Sequence, residues 1–592
     1  MKRIHIYMPV LVLTLALPLS FTSCKKVLDV QPENILQDET VFSDESAVNI
    51  YLATLYYDLP IEDFTYIVQN GFDKSGTCFL EQLDGEAILN IADDKNSIGD
   101  GTWVSWWNYT VVRNVNHFMD QIEKPSFSEQ QKNEWMGEAK YIRAHYYFGM
   151  VKRYGGIPIV KEVQNYTGDN LEELQIPRNT EKEVYDFIAS DLDEAISLLP
   201  ETSIKEKVNK YTAYALKSRA MLFAGSIARY GNVNLNGVVG IPAADADHYF
   251  QLSYDAAKAI IDSHKYSLYN KEADKELNFT NLFLDPDNPE LIFVKSYHFP
   301  EKGHSWDYRN LPFGQRSPEG SGGRINPTLE LVETYDYKDG SQGKLKLTDG
   351  SGNPIKYANP LDLFRDKDPR LGASIIVPFA DWRGTAVDVR AGIIDGANTV
   401  TSGSFDDEYK GMKVIGSSGI GGSNEVSQTG FYVRKYMNPS YDPATIDTWT
   451  SSTQYIEFRL GEILLNYAEA AFELGENPDA AWALNQLRSR AGVASLSDGD
   501  ITAGKVRNER TVEMAFERQH YWDIRRWRIA DGLMNNTQFT ALMPYYDMQA
   551  NAYIFKIAKV GYARTFLPQL YYERIDPAEI AKDSKLIQNP NY

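Results

Sequence analysis

The stretch that most constrains the fold covers residues 455–527, where apolar side chains recur at helical spacing. In residues 457–475 they fall at positions i, i+3, i+4 and i+7, which predicts a helix with one buried stripe. The turn Gly475-Glu476-Asn477-Pro478 ends this helix and starts another over residues 480–491, so the two form a helical hairpin. In residues 508–528 opposite charges lie three and four positions apart, which predicts a third helix.

The first 23 residues predict export from the cytoplasm. A basic start precedes an apolar run over residues 6–19 and a short polar segment, as in a signal peptide. The run is shorter than the ~20 residues that a membrane-spanning helix needs. It is followed by the sequence FTSC, which resembles the lipobox of bacterial lipoproteins, with Phe21 where a leucine-like residue is usual. We therefore expect Cys24 to be the acylated first residue of the mature protein; a secreted protein with a chance cysteine is the alternative.

Charge and cysteine content narrow the classes of partner and fold. The 592 residues include 60 Lys and Arg and 81 Asp and Glu, a net charge of −21, which repels phosphate backbones. We therefore expect no nucleic-acid partner. Cys78 is the only other cysteine, so lipidation of Cys24 leaves no pair for an intramolecular disulfide.

The order of patterns along the chain predicts a mainly α fold. Helical spacing dominates up to about residue 270, with capping boxes at Ser128 and Thr180, and the short connections suggest stacked hairpins of the tetratricopeptide kind. Residues 291–450 are irregular and rich in Gly and Ser, with short strand-like pieces. One further helix is predicted there, with Asn326 as its cap and Pro327 at its first position. Because so long a loop section is uncommon without a role, we interpret it as a binding subdomain on a helical scaffold.

No catalytic signature is present. The chain has no HExxH, no GxSxG and no phosphate-binding loop, and its eight histidines are dispersed. The closest loop pair, His298 and His304, fits solvent-exposed polar residues better than a metal site. We therefore expect no catalytic residue, no cofactor and no metal site.

Aromatic residues in the loop at residues 296–314 indicate a ligand with apolar faces and a polar rim. Tyr297, Trp306 and Tyr308 stand there beside Arg309. Sugars present C–H faces that stack on flat rings and hydroxyls that bind charged side chains. The alternative is that these rings anchor the loop to the core, and it carries equal weight for any one residue. The same two interpretations apply to Trp103, Trp106 and Trp107 at the start of a predicted helix.

Several motifs in sequence order resemble the SusD/RagB family of outer-membrane nutrient-binding lipoproteins of Bacteroidetes. They cover nearly everything after Cys24, and their agreement in order is more specific than any one of them. They are VLDVQPEN, FSDESAVNIYLATLYYDL, EAKYIRAHYYFGMVKRYGGIPIV, NKYTAYALKSRAMLFAG, NPTLELVETY, FRLGEILLNYAEA, LRSRAG, ERTVEMAFERQHYWDIRRW and the terminal QNPNY. The chain differs from the family after Glu517, where Arg518 and His520 replace a glycine and an arginine, which predicts a changed local turn or salt bridge.

The resemblance implies a lipid-anchored protein of the outer membrane that faces the cell surface. Such a protein captures an oligosaccharide and delivers it to a SusC-like TonB-dependent transporter, without catalysis. The implied regions are a signal peptide (1–23), an N-terminal helical region (24–230) and a C-terminal region (231–592) that contains the binding subdomain (about 291–450) and the helical signature (455–527).

The family binds its ligand through loop aromatics, which implies glycan contacts here by Trp306, Tyr308, Tyr297, Trp103, Tyr66 and Arg309. The charged residues of the helical signature are instead expected to form buried or half-buried ion pairs. They are Arg459, Glu462, Glu469, Glu509, Glu517 and Arg526. Two other functions fit parts of the sequence: a surface glycoside hydrolase, from the many carboxylates among aromatic loops, and a helical-repeat adaptor that binds only protein.

Overall fold

A computed structural model describes residues 38–67, 71–72, 80–90, 104–123, 127–316, 320–442 and 444–592. Outside the described residues lie the predicted signal peptide, Cys24, Cys78 and Trp103. The chain divides into two units, residues 1–51 and residues 52–592, and the candidate sites lie in the second. Among the described residues no helix has both the length and the hydropathy to cross a membrane.

Helices make up most of the regular structure. They are α1 (Asp38–Val41), α2 (Glu45–Tyr57), α3 (Tyr109–Ile122), α4 (Glu129–Tyr154), α5 (Leu171–Leu174), α6 (Glu181–Leu198), α7 (Lys210–Tyr230), α8 (Ala246–Asp262), α9 (Lys275–Leu282), α10 (Trp306–Asn310), α11 (Leu329–Thr334), α12 (Pro369–Ser374), α13 (Leu460–Leu474), α14 (Asn477–Ala491), α15 (Ala503–Met514), α16 (His520–Arg526), α17 (Ala530–Met534) and α18 (Pro577–Lys582).

The long helices form one continuous stack, in which α3, α4, α6, α7, α8, α13 and α14 each pack against the next. Local sequence sets where several of them begin. Ser128 Oγ accepts a hydrogen bond from Gln131 N at the start of α4, and Thr180 and Glu183 form a full capping box at α6. The prediction of a mainly α fold built from stacked hairpins is confirmed.

The strands are short and form small sheets. They are β1 (Tyr66–Ile67), β2 (Gly71–Phe72), β3 (Ala87–Leu89), β4 (Leu291–Lys295), β5 (Ile325–Pro327), β6 (Ile375–Ile376), β7 (Asp381–Trp382), β8 (Thr385–Ala386), β9 (Gly392–Asp395), β10 (Asn398–Val400), β11 (Glu408–Tyr409), β12 (Met412–Lys413), β13 (Tyr432–Val433), β14 (Tyr455–Arg459), β15 (Thr540–Asp547) and β16 (Ala552–Lys559). Most of them lie between residues 291 and 459, which agrees with an irregular subdomain that contains short strands.

Three predicted elements differ from the structure. Residues 455–459 form β14, which pairs antiparallel with β4, so the helix α13 begins only at Leu460. Residues 508–528 are not one helix, because the chain leaves helical geometry between α15 and α16, where Phe516 and Arg518 have a φ of 61°. The helix predicted to begin at Pro327 is α11, which begins at Leu329 with Thr328 as its cap, because Asn326 and Pro327 pair with β3.

The charged residues of the signature form buried ion pairs, as predicted. Arg459 pairs with Glu517 at 2.7 Å, and Arg526 pairs with Glu469 and with Asp523. Arg459 belongs to a set of ten buried residues, five acidic and five basic, that we call the core charge network. Its members are Glu290, Asp368, Arg370, Lys435, Arg459, Arg488, Arg490, Glu509, Glu513 and Glu517.

Candidate functional site

The loop that carries most of the predicted site residues leaves the scaffold at the end of β4. Its first turn is closed by hydrogen bonds in both directions between the backbones of His298 and Lys302, at 2.7 and 2.6 Å. Its second half is tied to a neighbouring loop in the same way, through His304 and Ser451 at 2.9 and 3.0 Å. The loop then enters the short helix α10. The positions of its rings are therefore fixed by backbone pairing.

Trp306 and Tyr297 lie inside the protein, with 3% and 6% of their surfaces exposed. Both pack against Phe64, whose ring centroid is 5.3 Å from that of Trp306 and 6.1 Å from that of Tyr297. The Tyr297 hydroxyl donates to Asp63 Oδ2 at 2.5 Å, and Trp306 Nε1 donates to the Lys435 carbonyl oxygen at 3.0 Å. In this structure the two rings anchor the loop to the core. A direct glycan contact by either ring stays a prediction.

Tyr308 and Arg309 follow Trp306 on α10 and are half-buried. Successive helical residues point about 100° apart, so Tyr308, two residues after Trp306, leaves the helix on the opposite side from the buried tryptophan. Arg309, three residues after Trp306, lies on nearly the same face as the tryptophan. Burial lowers the pKa of the Arg309 guanidinium. The backbone of Tyr66 pairs with Phe72 in β1 and β2, while its side chain, like the whole of Trp103, lies outside what the structure describes.

Three aromatic side chains that are not among the predicted glycan contacts are exposed around this loop. Tyr57, Phe299 and Trp449 have 63%, 53% and 44% of their surfaces exposed, and we call them the ring surface. Lys302 Nζ lies 4.5 Å from the centre of the Tyr57 ring. The backbone amide of Phe299 donates to Ser452 Oγ at 3.0 Å, which places Phe299 beside the segment that carries Trp449.

The backbone of Trp449 is held closely against the first loop. Its amide donates to Ser305 Oγ at 3.1 Å. A Cβ added to Gly303 would lie 1.8 Å from the Trp449 carbonyl oxygen, so only glycine permits this approach. The position of Trp449 is thus built by contacts between segments about 145 residues apart in sequence. The isolated WT dipeptide in a polar stretch was the only sequence signal for it.

Asp307, which follows Trp306 on α10, carries a buried carboxyl group with a raised pKa. Burial raises the pKa of Asp307 to about 7, although Asp307 Oδ1 accepts a hydrogen bond from the Asn438 amide at 2.6 Å. The positive charge of Arg383 partly offsets the effect of burial. The carboxyl supports the loop at residue 438. Within the described ranges, no three His, Cys, Asp or Glu side chains come together in a way that could hold a metal ion.

Comparison with known proteins gives a consistent set of relatives. Residues 289–592 match the model of the SusD family, and residues 26–222 match a model described as starch-binding and associating with the outer membrane. A SusD-like protein of Formosa agariphila is 22% identical over 526 residues, which cover 85% of this chain and 88% of that protein.

Solved structures share the fold. A SusD-like protein from Bacteroides fragilis superposes with a TM-score of 0.70 at 24% identity, over 94% of this chain and 99% of that chain. A SusD-like carbohydrate binding protein from the same species superposes with a TM-score of 0.65 at 20% identity, over 93% of this chain and 100% of that chain. These likenesses agree with the helical scaffold and loop-rich subdomain described above.

Proposed function

Because this chain belongs to the SusD family, we propose that it binds oligosaccharides at the ring surface and does not act as an enzyme. The observation that carries the proposal is the exposure of Phe299 and Trp449 on backbone segments that hydrogen bonds hold together, with the exposed Tyr57 beside Lys302 of the same loop. Exposed rings grouped in this way are typical of binding sites, and flat rings stack against the C–H faces of sugars.

The polar groups beside these rings suit the hydroxyl rim of a sugar. Lys302 donates, and Glu301, whose carboxylate lies 2.7 Å from His298 Nδ1, accepts. We include Tyr308, Arg309, Trp103 and Tyr66 among the proposed contacts. Trp306 and Tyr297 serve in this proposal as the buried base of the loop. A structural neighbour named as a carbohydrate binding protein, and a matched family model described as starch-binding, support the ligand class.

We further propose that Cys24 carries the lipid that anchors the protein in the outer membrane, on the cell surface. The match of residues 26–222 to a family described as associating with the outer membrane supports this location. In the proposed role the protein passes its ligand to a SusC-like TonB-dependent transporter. Replacement of Cys24 by alanine is expected to abolish labelling with radioactive palmitate in a bacterial host and to release the protein from the membrane fraction. A labelled C24A protein would contradict the anchor.

Affinity electrophoresis in gels that contain polysaccharides tests the ring surface. The double variant Phe299→Ala and Trp449→Ala is expected to bind at least about tenfold more weakly, because loss of a central aromatic contact costs about 2 kcal/mol or more. Trp482→Ala is the matched control, because Trp482 is also 45% exposed but lies on α14. The melting temperature of both variants is expected to stay close to that of the wild type. Unchanged retardation of the double variant would refute the site.

The two alternative functions predict different results. A glycoside hydrolase would release new reducing ends from a polysaccharide that it binds, which a reducing-sugar assay detects. An adaptor that binds only protein would co-purify with a transporter but show no retardation in any polysaccharide gel. We expect retardation without release of reducing ends.

A further inference from the structure

A cavity separate from the ring surface opens on the loop-rich subdomain, between α9, α12 and the C-terminal end of α14. Its volume is about 770 Å³. This lies within the roughly 300–1,000 Å³ that is typical of small-molecule sites. We call it the α9–α12 groove and define it by Glu276, Lys338, Phe364, Asp366, Asp381 and Arg434. None of the three rings of the ring surface lines it.

The floor of the groove is a fixed ion pair. Arg434 Nη1 donates to Glu276 Oε1 at 2.6 Å and to the Gly372 carbonyl oxygen at 2.7 Å. A Cβ added to Gly372 would lie only 2.3 Å from Glu276 Oε2. Because Gly372 has no side chain, the Glu276 carboxylate can lie across α12 and meet Arg434. The groove therefore has a preorganised polar floor, which is what a specific ligand site needs.

The rim of the groove offers charged groups of both signs to solvent. The Lys338 amide donates to the Asp366 carbonyl oxygen at 2.7 Å, so an exposed ammonium and an exposed carboxylate stand on neighbouring backbone segments. Asp381 is also exposed, and its Oδ1 accepts from the Gly384 amide at 3.1 Å. These groups can both donate to and accept from hydroxyls.

Apolar side chains complete the wall. Phe364 is half-buried and Leu361 is partly exposed, and both line the groove. A ring and an aliphatic side chain beside hydrogen-bonding carboxylates and ammoniums match the apolar faces and hydroxyl rim of a sugar. Five acidic and four basic side chains line the groove, in a chain of net charge −21. This balance disfavours glycans that carry uronate or sulfate groups.

We propose that the α9–α12 groove is a second oligosaccharide subsite, selective for neutral sugars and separate from the ring surface. The proposal rests on the carbohydrate-binding function proposed above. It gives one protein two points of contact with a long glycan, which raises the overall affinity when both are engaged.

Calorimetric titration of the mature wild-type chain tests the subsite with neutral gluco-, xylo- and manno-hexasaccharides and with hexagalacturonate. The test variant carries Asp366→Asn and Asp381→Asn. Asparagine keeps the acceptor for Gly384 and tolerates the left-handed backbone of Asp366, whose φ is 62°. The control is Asp287→Asn, which makes the same substitution at one fully exposed site outside the groove and removes one of the two charges that the test variant removes.

The wild type and the control are expected to bind a neutral hexasaccharide at two sites. At the groove, both are expected to bind hexagalacturonate at least about tenfold more weakly than the neutral hexasaccharide. The test variant is expected to lose about tenfold or more at one site, because hydrogen bonds to charged groups contribute most to such contacts. The Phe299→Ala and Trp449→Ala variant is expected to keep that site and lose the other.

Each other outcome has a distinct meaning. If the test variant binds like the wild type while the ring-surface variant does not, the groove proposal is refuted and the proposed function stands. If only the test variant is impaired, the groove is confirmed and the ring surface is refuted. If the wild type binds hexagalacturonate but no neutral hexasaccharide, the groove proposal is refuted and the proposed function stands; if it binds none of the four oligosaccharides, both proposals are refuted. Equal affinity for hexagalacturonate at the groove refutes its selectivity.

Discussion

Replacement of Arg459 by methionine tests how much the core charge network contributes to stability. Arg459 is buried and donates to three carboxylates: twice to Glu517 at 2.7 and 2.8 Å, to Glu513 at 2.7 Å and to Glu290 at 2.9 Å. Methionine fills a similar volume but leaves five acidic and four basic residues in the buried network. Removal of one partner from a buried ion pair costs about 3–5 kcal/mol, because the remaining charge stays uncompensated.

The expected change in melting temperature follows from the size of the second unit, residues 52–592. With about 2.1 cal/mol/K of unfolding entropy per residue, about 540 residues give about 1.1 kcal/mol/K, so the loss corresponds to about 3–4 °C. Differential scanning calorimetry measures this shift. The control is Lys258→Met, which removes an exposed ion pair with Asp262 on α8 and is expected to leave the melting temperature close to that of the wild type.

The deficit of the Arg459→Met variant is expected to depend on pH. Burial alone would raise the pKa of Glu513, but Arg490, Arg459 and Arg370 outweigh it and hold the pKa well below its usual value. A carboxyl group with a lowered folded pKa adds stability above its unfolded pKa of about 4.3, and this stability is lost as the pH falls through the folded value. The variant loses part of that contribution, so its deficit is largest at neutral pH and shrinks in acid. A melting temperature equal to that of the wild type at pH 7 would refute the reasoning.

Three further substitutions probe single contacts. Trp306→Ala is expected to cost about 3–5 kcal/mol by leaving a cavity beside Phe64, measured as a lower melting temperature; an unchanged value would show that Trp306 does not anchor the loop. The folded Asp307 carboxyl keeps its proton up to about pH 7, whereas the unfolded chain releases it at about 3.9, so the wild type is expected to lose stability as the pH rises from about 4 to about 7. Asp307→Asn should abolish this pH dependence. Parallel pH profiles of the wild type and the variant would contradict this. Arg518→Gly relieves about 1–2 kcal/mol of left-handed backbone strain but removes the ion-pair partner of the buried Glu81, at a cost of about 3–5 kcal/mol. Urea unfolding should therefore show a net destabilisation. A net stabilisation would show that the ion pair contributes little.

Local patterns were sufficient for the scaffold because its signals lie within a few residues of each other. The spacing of apolar residues located α13 and α14, and the capping box at Thr180 located the start of α6. The break before α16 had no such signal, since no glycine or proline stands between residues 514 and 520. There the left-handed Arg518 pairs with Glu81, 437 positions away in the chain.

Long-range contacts also explain why the site was only partly predictable. Trp306 and Trp449 both stand in irregular polar sequence, but one is buried and the other is exposed. Trp306 is buried because it packs against Phe64, which lies more than 240 positions upstream in the chain. The presence of several aromatic residues in one loop therefore indicates that a site exists. Which of these rings are exposed to a ligand depends on how distant segments pack against the loop.

The core charge network explains how the loop-rich subdomain can stay attached to the helices when the residues on its surface change. Glu290 stands just before β4, where the irregular region begins, and Arg459 stands where it returns to α13. Arg370 and Lys435 join the same network from within the region. The network thus fixes the bases of the loops. The ring surface contributes none of its ten members, and the lining of the α9–α12 groove contributes only the buried Asp368. Changes in ligand-facing residues therefore leave the buried charges balanced, which allows ligand specificity to change on a constant scaffold.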